Sequence, residues 1–315
     1  MPTHQLATCT GCGETNENRR WIQPASRAGH YLSLCRVCES TRNRARRVAR
    51  ASGSTVPPIT SARLGIERRF GIEIECIVPG GRDGSTAASL RAMLPPHWTI
   101  GTDSSIGSSS GIEIRSPILK GEDGLRQAKQ AFDAAIEVGC TVTRRCGLHV
   151  HHEARDLGRS GLVTFVRSWA ANQELIDWLV SPSRRGDNAS IYCQRWQPHE
   201  LTELSRWNRN TSSHTSGLPS SRYRTANLHT FARYGTVEIR QHQGTLSFRK
   251  VEAWIKLTQG LLDSLAGRIQ AHGTYGSLQS LFEAASVDED TSAYLLGRAM
   301  QFGAGPRTLG LAMAA

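Results

Sequence analysis

Four short segments of this chain alternate apolar and polar residues with a period of two, and that period belongs to β-strands rather than helices. In Phe70-Gly71-Ile72-Glu73-Ile74-Glu75-Cys76, one face takes Phe70, Ile72, Ile74 and Cys76, and the other takes Glu73 and Glu75. Gly111-Ile112-Glu113-Ile114-Arg115 sets Glu113 and Arg115 against two isoleucines. Gly147-Leu148-His149-Val150-His151 sets two histidines against Leu148 and Val150, and Thr236-Val237-Glu238-Ile239-Arg240 sets Glu238 and Arg240 against Val237 and Ile239. Two carboxylates about 7 Å apart on one strand face repel each other unless something positive lies between them. Each segment alone has a plain reading: solvated glutamates, a surface histidine run, a hydrolase-type zinc site or a same-face ion pair. Together, on one parity, they predict a single sheet with its apolar face on a core and its polar face forming a site.

The chain has 315 residues, 38% of them hydrophobic and 21% charged, the balance of a soluble globular protein with room for one large domain and an appendage. No apolar run approaches the ~20 residues of a membrane span. The N-terminus lacks the apolar core of a secretory signal, so a cytoplasmic protein without a membrane partner is expected. The net charge of +11 is uneven. Residues 1–63 hold ten Arg and three Glu, a net of +7; the other 28 Lys and Arg against 24 Asp and Glu leave +4. Any affinity for polyanions is therefore expected mainly from the N-terminal segment. Of the eight cysteines, Cys76, Cys140, Cys146 and Cys193 are scattered, as buried thiols are.

The other four form two C-x-x-C pairs, Cys9 with Cys12 and Cys35 with Cys38, in the spacing of a four-cysteine zinc ribbon. Between them lie only Trp21, Ile22, Tyr31, Leu32 and Leu34 as large apolar residues, too few for an unaided core, so structural Zn²⁺ would supply the missing folding energy. A redox dithiol or four unrelated thiols need only one pair or neither. Elemental analysis of residues 1–50, purified without chelator, should find one zinc per chain; none would end the ribbon assignment. Glu39 to Arg50 reads as a basic helix with Arg42, Arg44, Arg46, Arg47 and Arg50. Residues 1–50 have the charge to hold nucleic acid or another polyanion, and a solvated helix serving solubility accounts for it equally well. Residues 51–62, with Ser52-Gly53-Ser54 and Pro57-Pro58, read as a linker, which leaves 63–315 as the main domain.

Within that domain, helical spacing predicts helices over 85–94, 121–139, 162–179 and 248–270, a further strand over 222–228, and short helices near 278–284 and 292–300. Residues 181–220 read as a long polar loop that lines or covers the site. The fold class is α+β.

Four glutamates and a histidine on one face make an oxygen-rich site, which suits Mg²⁺ or Mn²⁺ rather than zinc. More carboxylates than one ion needs indicates two or more ions, as in sites that handle a triphosphate. Arg115 and Arg240 on the same face could stabilise phosphoryl or oxyanion charge. The order of the motifs is specific. The Phe-Gly-Ile-Glu-Ile-Glu strand is followed by Thr102-Asp103-Ser104-Ser105 and Ile112-Glu113-Ile114-Arg115-Ser116-Pro117, and then by Cys146-Gly147-Leu148-His149-Val150-His151. Arg222-Tyr223 with Asn227-Leu228, and Gly235-Thr236-Val237-Glu238-Ile239-Arg240 with Gly244-Thr245-Leu246, complete the pattern. From about Arg63 to Lys256 the chain resembles the amidoligase family, relatives of glutamine synthetase and glutamate–cysteine ligase.

The resemblance implies a curved antiparallel sheet with helices packed on one face. It also implies an ATP-dependent carboxylate–amine ligase that works through an acyl phosphate. Glu73, Glu75, Glu113, His149 and Glu238 would hold Mg²⁺ (or Mn²⁺). His151 would approach the ATP phosphates, with Arg115 and Asn227 on the nucleotide side. Arg222 and Arg240 would contact the phosphates or the acyl phosphate, and with Glu238 they form the catalytic set. Of Arg222 and Arg224, the motif takes Arg222. The carboxylate and amine substrates could be small molecules, peptides or protein side chains. Two alternatives come from other classes: a nucleic-acid-binding zinc-ribbon protein with an inactive ligase-like domain, and a divalent-metal hydrolase built on His149 and His151.

Overall fold

The computed structural model describes residues 67–186, 190–209, 218, 221–267 and 274–311, together with two short pairs near the N-terminus. Those pairs, β1 (Ala7–Thr8) and β2 (Thr15–Asn16), run antiparallel and bracket the first cysteine pair in sequence. Cys9, Cys12, Cys35 and Cys38, the basic segment and the linker lie outside the described residues.

The period-two segments all become strands of one sheet. They are β3 (Phe70–Ile77), β5 (Gly111–Arg115), β6 (Gly147–Glu153) and β8 (Thr236–Gln243). Two short strands, β4 (Thr99–Gly101) and β7 (Ala226–Asn227), close the edges in the order β4-β5-β3-β6-β8-β7. All the pairings are antiparallel, so this is an open six-stranded sheet whose four central strands are the four motif segments.

The apolar parity meets the core. Ile72, Ile74, Ile112, Ile114, Leu148, Val150, Val237 and Ile239 are buried together, and each such side chain contributes about 1.5–3 kcal/mol relative to exposure. Helices complete that core: α1 (Ser85–Met93), α2 (Gly121–Glu137), α3 (Gly158–Ala171) and α7 (Phe248–Gly267). In α2, Glu122 and Asp123 sit in the first turn, where they favour the helix dipole. Gly139 at φ 80° then turns the chain after its last residues, a conformation that Cβ-bearing residues resist. Helix α7 buries Val251, Trp254, Ile255, Leu261 and Leu265 along one stripe, as their spacing requires.

Three expectations differ in detail. The single helix over 162–179 is interrupted at Asn172, which separates α3 from α4 (Gln173–Asp177). The Asn172 amide donates to Ser168 O at 2.8 Å and accepts from Tyr275 N at 2.7 Å, so side-chain bonding competes with the helix there. The strand over 222–228 shrinks to β7 with one isolated bridge at Arg224, because α6 (His229–Tyr234) begins directly after Leu228. The polar loop over 181–220 contains α5 (Pro198–Arg209), whose Leu204 and Trp207 are fully buried. That part of the segment is core structure, not an open flap. Then come α8 (Leu278–Ala284), α9 (Glu289–Gln301) and α10 (Pro306–Leu309). Among the described residues no helix is long and apolar enough to cross a membrane.

Candidate active site

The polar face of the sheet carries its groups in register. Across β3 and β5, Glu75 stands opposite Glu113 and Glu73 opposite Arg115. Across β3 and β6, Glu73 stands opposite His149; across β6 and β8, His151 faces Glu238, which is also opposite Asn227 of β7. Antiparallel pairing brings directly opposed side chains to within about 5 Å at Cβ, so alternation along four strands becomes a two-dimensional cluster. The cluster is not solvated: Glu75, Glu113 and Glu238 are each 3% exposed and His149 is 4% exposed.

His149 is the hub. Its Nδ1 lies 3.1 Å from Glu73 Oε2 and 3.6 Å from Glu238 Oε1, and its Nε2 lies 3.7 Å from Glu75 Oε1. His151 Nε2 is 3.4 Å from Glu73 Oε1 and 4.0 Å from Glu238 Oε1, yet it is buried with no aligned hydrogen-bond partner. Arg115 pairs with Glu113 and Arg240 with Glu238, each two residues apart on one strand. Asn227 Nδ2 donates to Glu238 Oε2 at 2.6 Å, and the Gly147 N–H donates to Glu75 Oε2 at 2.6 Å.

Buried charges divide the carboxyls. Burial raises Glu73, but the hydrogen bond with His149 and the close approach of His151 outweigh it and hold this carboxyl well below the usual range. Burial, then the charge of Glu73, pushes Glu113 up to about 7 despite Arg115. Burial also raises Glu238, and Arg240, followed by the two histidines, brings it below its ordinary value. Burial depresses His151, but its approach to Glu73 and the charges of Glu238 and Glu73 leave it raised.

The fourth histidine-run residue, His152, belongs to the core. It is fully buried, its Nε2 is 2.7 Å from Thr258 Oγ1 of α7, and burial drives it down to about 3. The run is therefore not a surface feature. Strict alternation would also place His242 beside Glu238 and Arg240. A bulge in β8, with Leu148 opposite His242 but Val150 opposite Ile239, turns it instead onto Trp254 at a 5.2 Å ring separation.

Residues 66–262 match the family described as "Putative amidoligase enzyme". The chain belongs to the amidoligase family. No curated protein matches it. The matched span contains the whole polar face of the sheet, and the residues assigned to the site from sequence occupy it in two groups. Glu73, Glu75, Glu113, His149, His151, Asn227, Glu238 and Arg240 form the contacting cluster. Arg115 and Arg222 are more exposed and sit at its margin. Arg115 holds Glu113; Arg222 stacks on Tyr223 at 5.3 Å, under the charges of Glu238 and Asp103. Arg224 turns away to Glu200 of α5.

Sequence reasoning about this amidoligase domain missed Asp103 as a candidate ligand. It stands in a loop, outside the strand parity, and caps the 3-10 turn Ser104–Ile106 by accepting from Ser105 N at 2.6 Å. Its only signal was its place in the Thr-Asp-Ser-Ser motif. With it, three groups could each hold a cation: Glu73 with Glu113 and His149; Glu73 with His151 and Glu238; and Glu75 with Asp103 and Glu113. In each group one ligand atom per residue lies within 4.8 Å of the others. Two groups share Glu73 and two share Glu113, so the three form one continuous carboxylate face. The donor set of oxygens with at most one imidazole per group, and the unpartnered His151 Nε2 beside two carboxylates, fit Mg²⁺ or Mn²⁺. At the other end of β3 and β6 another cleft gathers Glu67, Glu153, Asp156 and Asp263. There Arg68 already donates to Asp156, Asp263 and Glu153 O.

Proposed function

We propose that this domain forms an amide bond between a carboxylate and an amine, using ATP and two or more Mg²⁺ or Mn²⁺ ions in a glutamine synthetase-like site. The observation that carries this reading is the set of three groups that could each hold a cation, linked through Glu73 and Glu113, gathered at one sheet face of an amidoligase-family chain. The bound ions would neutralise and orient the triphosphate.

The chain's own residues have separate tasks. Glu73, Glu75, Glu113, His149 and Glu238, joined by Asp103, hold the cations. His151, with Asn227 beside its neighbour Glu238 and with Arg115 at the margin, meets the nucleotide phosphates. A substrate carboxylate attacks the γ-phosphorus, and ADP leaves. The amine then adds to the acyl phosphate and expels inorganic phosphate. Arg240 and Arg222 donate to the oxygens on which negative charge develops. Tyr192 O accepts from Arg240 Nε at 3.1 Å, so the segment after residue 190 reaches this arginine and would shield that side of the site from water. The N-terminal zinc ribbon and basic segment would be a separate module, with nucleic acid or another polyanion as its partner.

The test is mass spectrometry of the full chain incubated with ATP, Mg²⁺ and a cell extract. The expected product is a carboxylate–amine condensate, with ADP and phosphate formed only when both substrates are present. Hydrolysis without ATP would favour the metal hydrolase. Retention of nucleic acid without any turnover would favour the binding protein.

Cation binding should also be linked to protons through Glu113. A carboxyl raised to about 7 binds a proton at pH 6.5 that a cation must displace, whereas at pH 8 it is already ionised. Affinity for Mn²⁺ should therefore rise with pH up to about 7 and level off above it. Calorimetry in buffers of different ionisation enthalpy should find proton release at pH 6.5 and little at pH 8. Equal release at both would remove Glu113 from the ligand set.

A further inference from the structure

Arg184 ends a single 3-10 turn, Pro182–Arg184, and is only 2% exposed. A guanidinium keeps its proton under all ordinary conditions, so burial leaves a full positive charge inside the protein. Such charges are ordinarily paired with carboxylates. Arg184 has none in contact among the described residues. Its Nη1 is 3.6 Å from Cys193 Sγ, its Nη2 donates to Arg145 O at 3.3 Å and Cys146 O at 2.6 Å, and its Nε has no acceptor.

The contact at Cys146 O explains where the charge acts. That carbonyl and the Gly147 N–H belong to one peptide unit. The carbonyl end takes Arg184, and the N–H end donates to Glu75 Oε2 at 2.6 Å. A cation at the oxygen and a carboxylate at the hydrogen polarise the same amide in the same sense, so each strengthens the other's bond. Glycine at 147 keeps the direct path clear as well. A Cβ there would stand 3.5 Å from Arg184 Nη1, 3.5 Å from Glu75 Oε2 and 3.1 Å from His149 Nε2. With glycine there, residue 147 itself puts no side chain between the guanidinium and the carboxylate. Glu75 in turn faces a second buried carboxyl, Glu113, directly across the sheet.

We infer that Arg184 is a positioning residue of the site: through the Cys146–Gly147 peptide it fixes Glu75 and supplies the counter-charge for the Glu75–Glu113 end of the carboxylate face. It does so from the segment after α4, which it fastens to the start of β6. The inference deepens the proposed cation site, but its test needs neither cation nor ATP.

Melting temperatures in EDTA are compared for the full chain with Arg184→Gln and Arg184→Lys, each with and without Glu75→Gln. Lys keeps the charge and Gln removes it. With Glu75 present, Arg184→Gln should melt lower than Arg184→Lys by roughly 5 °C or more. With Glu75→Gln, that gap should largely close, because the charge no longer has a carboxylate to answer. If Arg184→Gln fails to fold, Glu75→Gln should restore folding. An equal gap in both backgrounds, no gap, or continued failure to fold would each overturn the inference. Those outcomes leave the ligase reading intact, and absence of ATP-dependent condensation would leave this coupling intact.

Discussion

Without divalent cation, Glu73→Gln should melt lower than the wild type, while Glu75→Gln should melt closer to it. The register separates them. Glu75 faces the Glu113 carboxyl, so removing its charge relieves a cross-strand repulsion while giving up its attraction to Arg184, two effects of opposite sign, and the Gln oxygen can still accept from Gly147 N. Glu73 faces Arg115 and His149 and holds His151, so its charge is compensated. Its depressed folded-state value gives the linkage sign. Glu73 contributes stability that is present above its unfolded value and lost as pH falls through the folded one, and Gln forfeits it at neutral pH. With Mg²⁺ and ATP the order should change. A ligand at a hundred times its dissociation constant stabilises by about 2.7 kcal/mol, or roughly 5–10 °C for a domain of this size. The wild type should gain that shift and both variants far less, and turnover should fall by orders of magnitude in both. Melts of the three proteins in EDTA and in Mg²⁺–ATP decide it. Equal cation-dependent shifts in all three would show that the glutamates do not hold cations.

How much of this could be read in advance depended on whether a residue obeyed a period. The four central strands were legible because alternation at Ile72 and Glu73, Ile112 and Glu113, Leu148 and His149, and Val237 and Glu238 is the direct signature of a sheet with unlike faces. Their adjacency was legible only as an inference from shared chemistry, and the pairing supports it. What escaped was nonperiodic. Asp103 acts from a loop, and one aspartate before Ser-Ser looks like any cap. Arg184 stands in a polar run among other arginines, and nothing local marks it as buried; only the fold brings it to Cys146 O. His242 changed face because an extra residue entered β8, which alternation cannot anticipate. Helix α5 was hidden because its inward residues, Leu204 and Trp207, are few among polar neighbours, so the segment resembled a loop until α3 supplied its packing partner.

Arg222→Ala and Arg224→Ala, two residues apart, should fail in opposite ways. Arg224 is a buried structural pair. Its Nε lies 2.9 and 2.8 Å from the two Glu200 oxygens, its Nη2 also donates to Glu200, and its Nη1 donates to Gln194 Oε1 at 3.0 Å. Glu200 also accepts from Gln197 N at 2.9 Å, which fixes the first turn of α5. Removing the arginine leaves a carboxylate uncompensated at 3% exposure, a loss of about 3–5 kcal/mol in such pairs. Arg224→Ala should thus lower the melting temperature by roughly 10 °C. Arg222 is exposed, and its proton is held more tightly than usual, first through Tyr223, with Glu238 and Asp103 adding to it. Tyr223 carries Arg222 at 5.3 Å and Arg240 at 5.8 Å, and it packs edge-on to Tyr192 at 5.0 Å, so the guanidinium is aimed along the margin of the site. Exposed substitutions without buried partners change stability by about 0.5 kcal/mol or less. A charge-assisted bond to phosphate contributes about 1.5–3 kcal/mol, or roughly 10- to 150-fold in affinity. Arg222→Ala should therefore melt like the wild type, yet lose most of its ATP-dependent shift and turnover. If Arg222→Ala instead loses stability and keeps the ATP-dependent shift, Arg222 is not a phosphate ligand and the nucleotide side of the site must be built from Arg240, His151 and Arg115 alone.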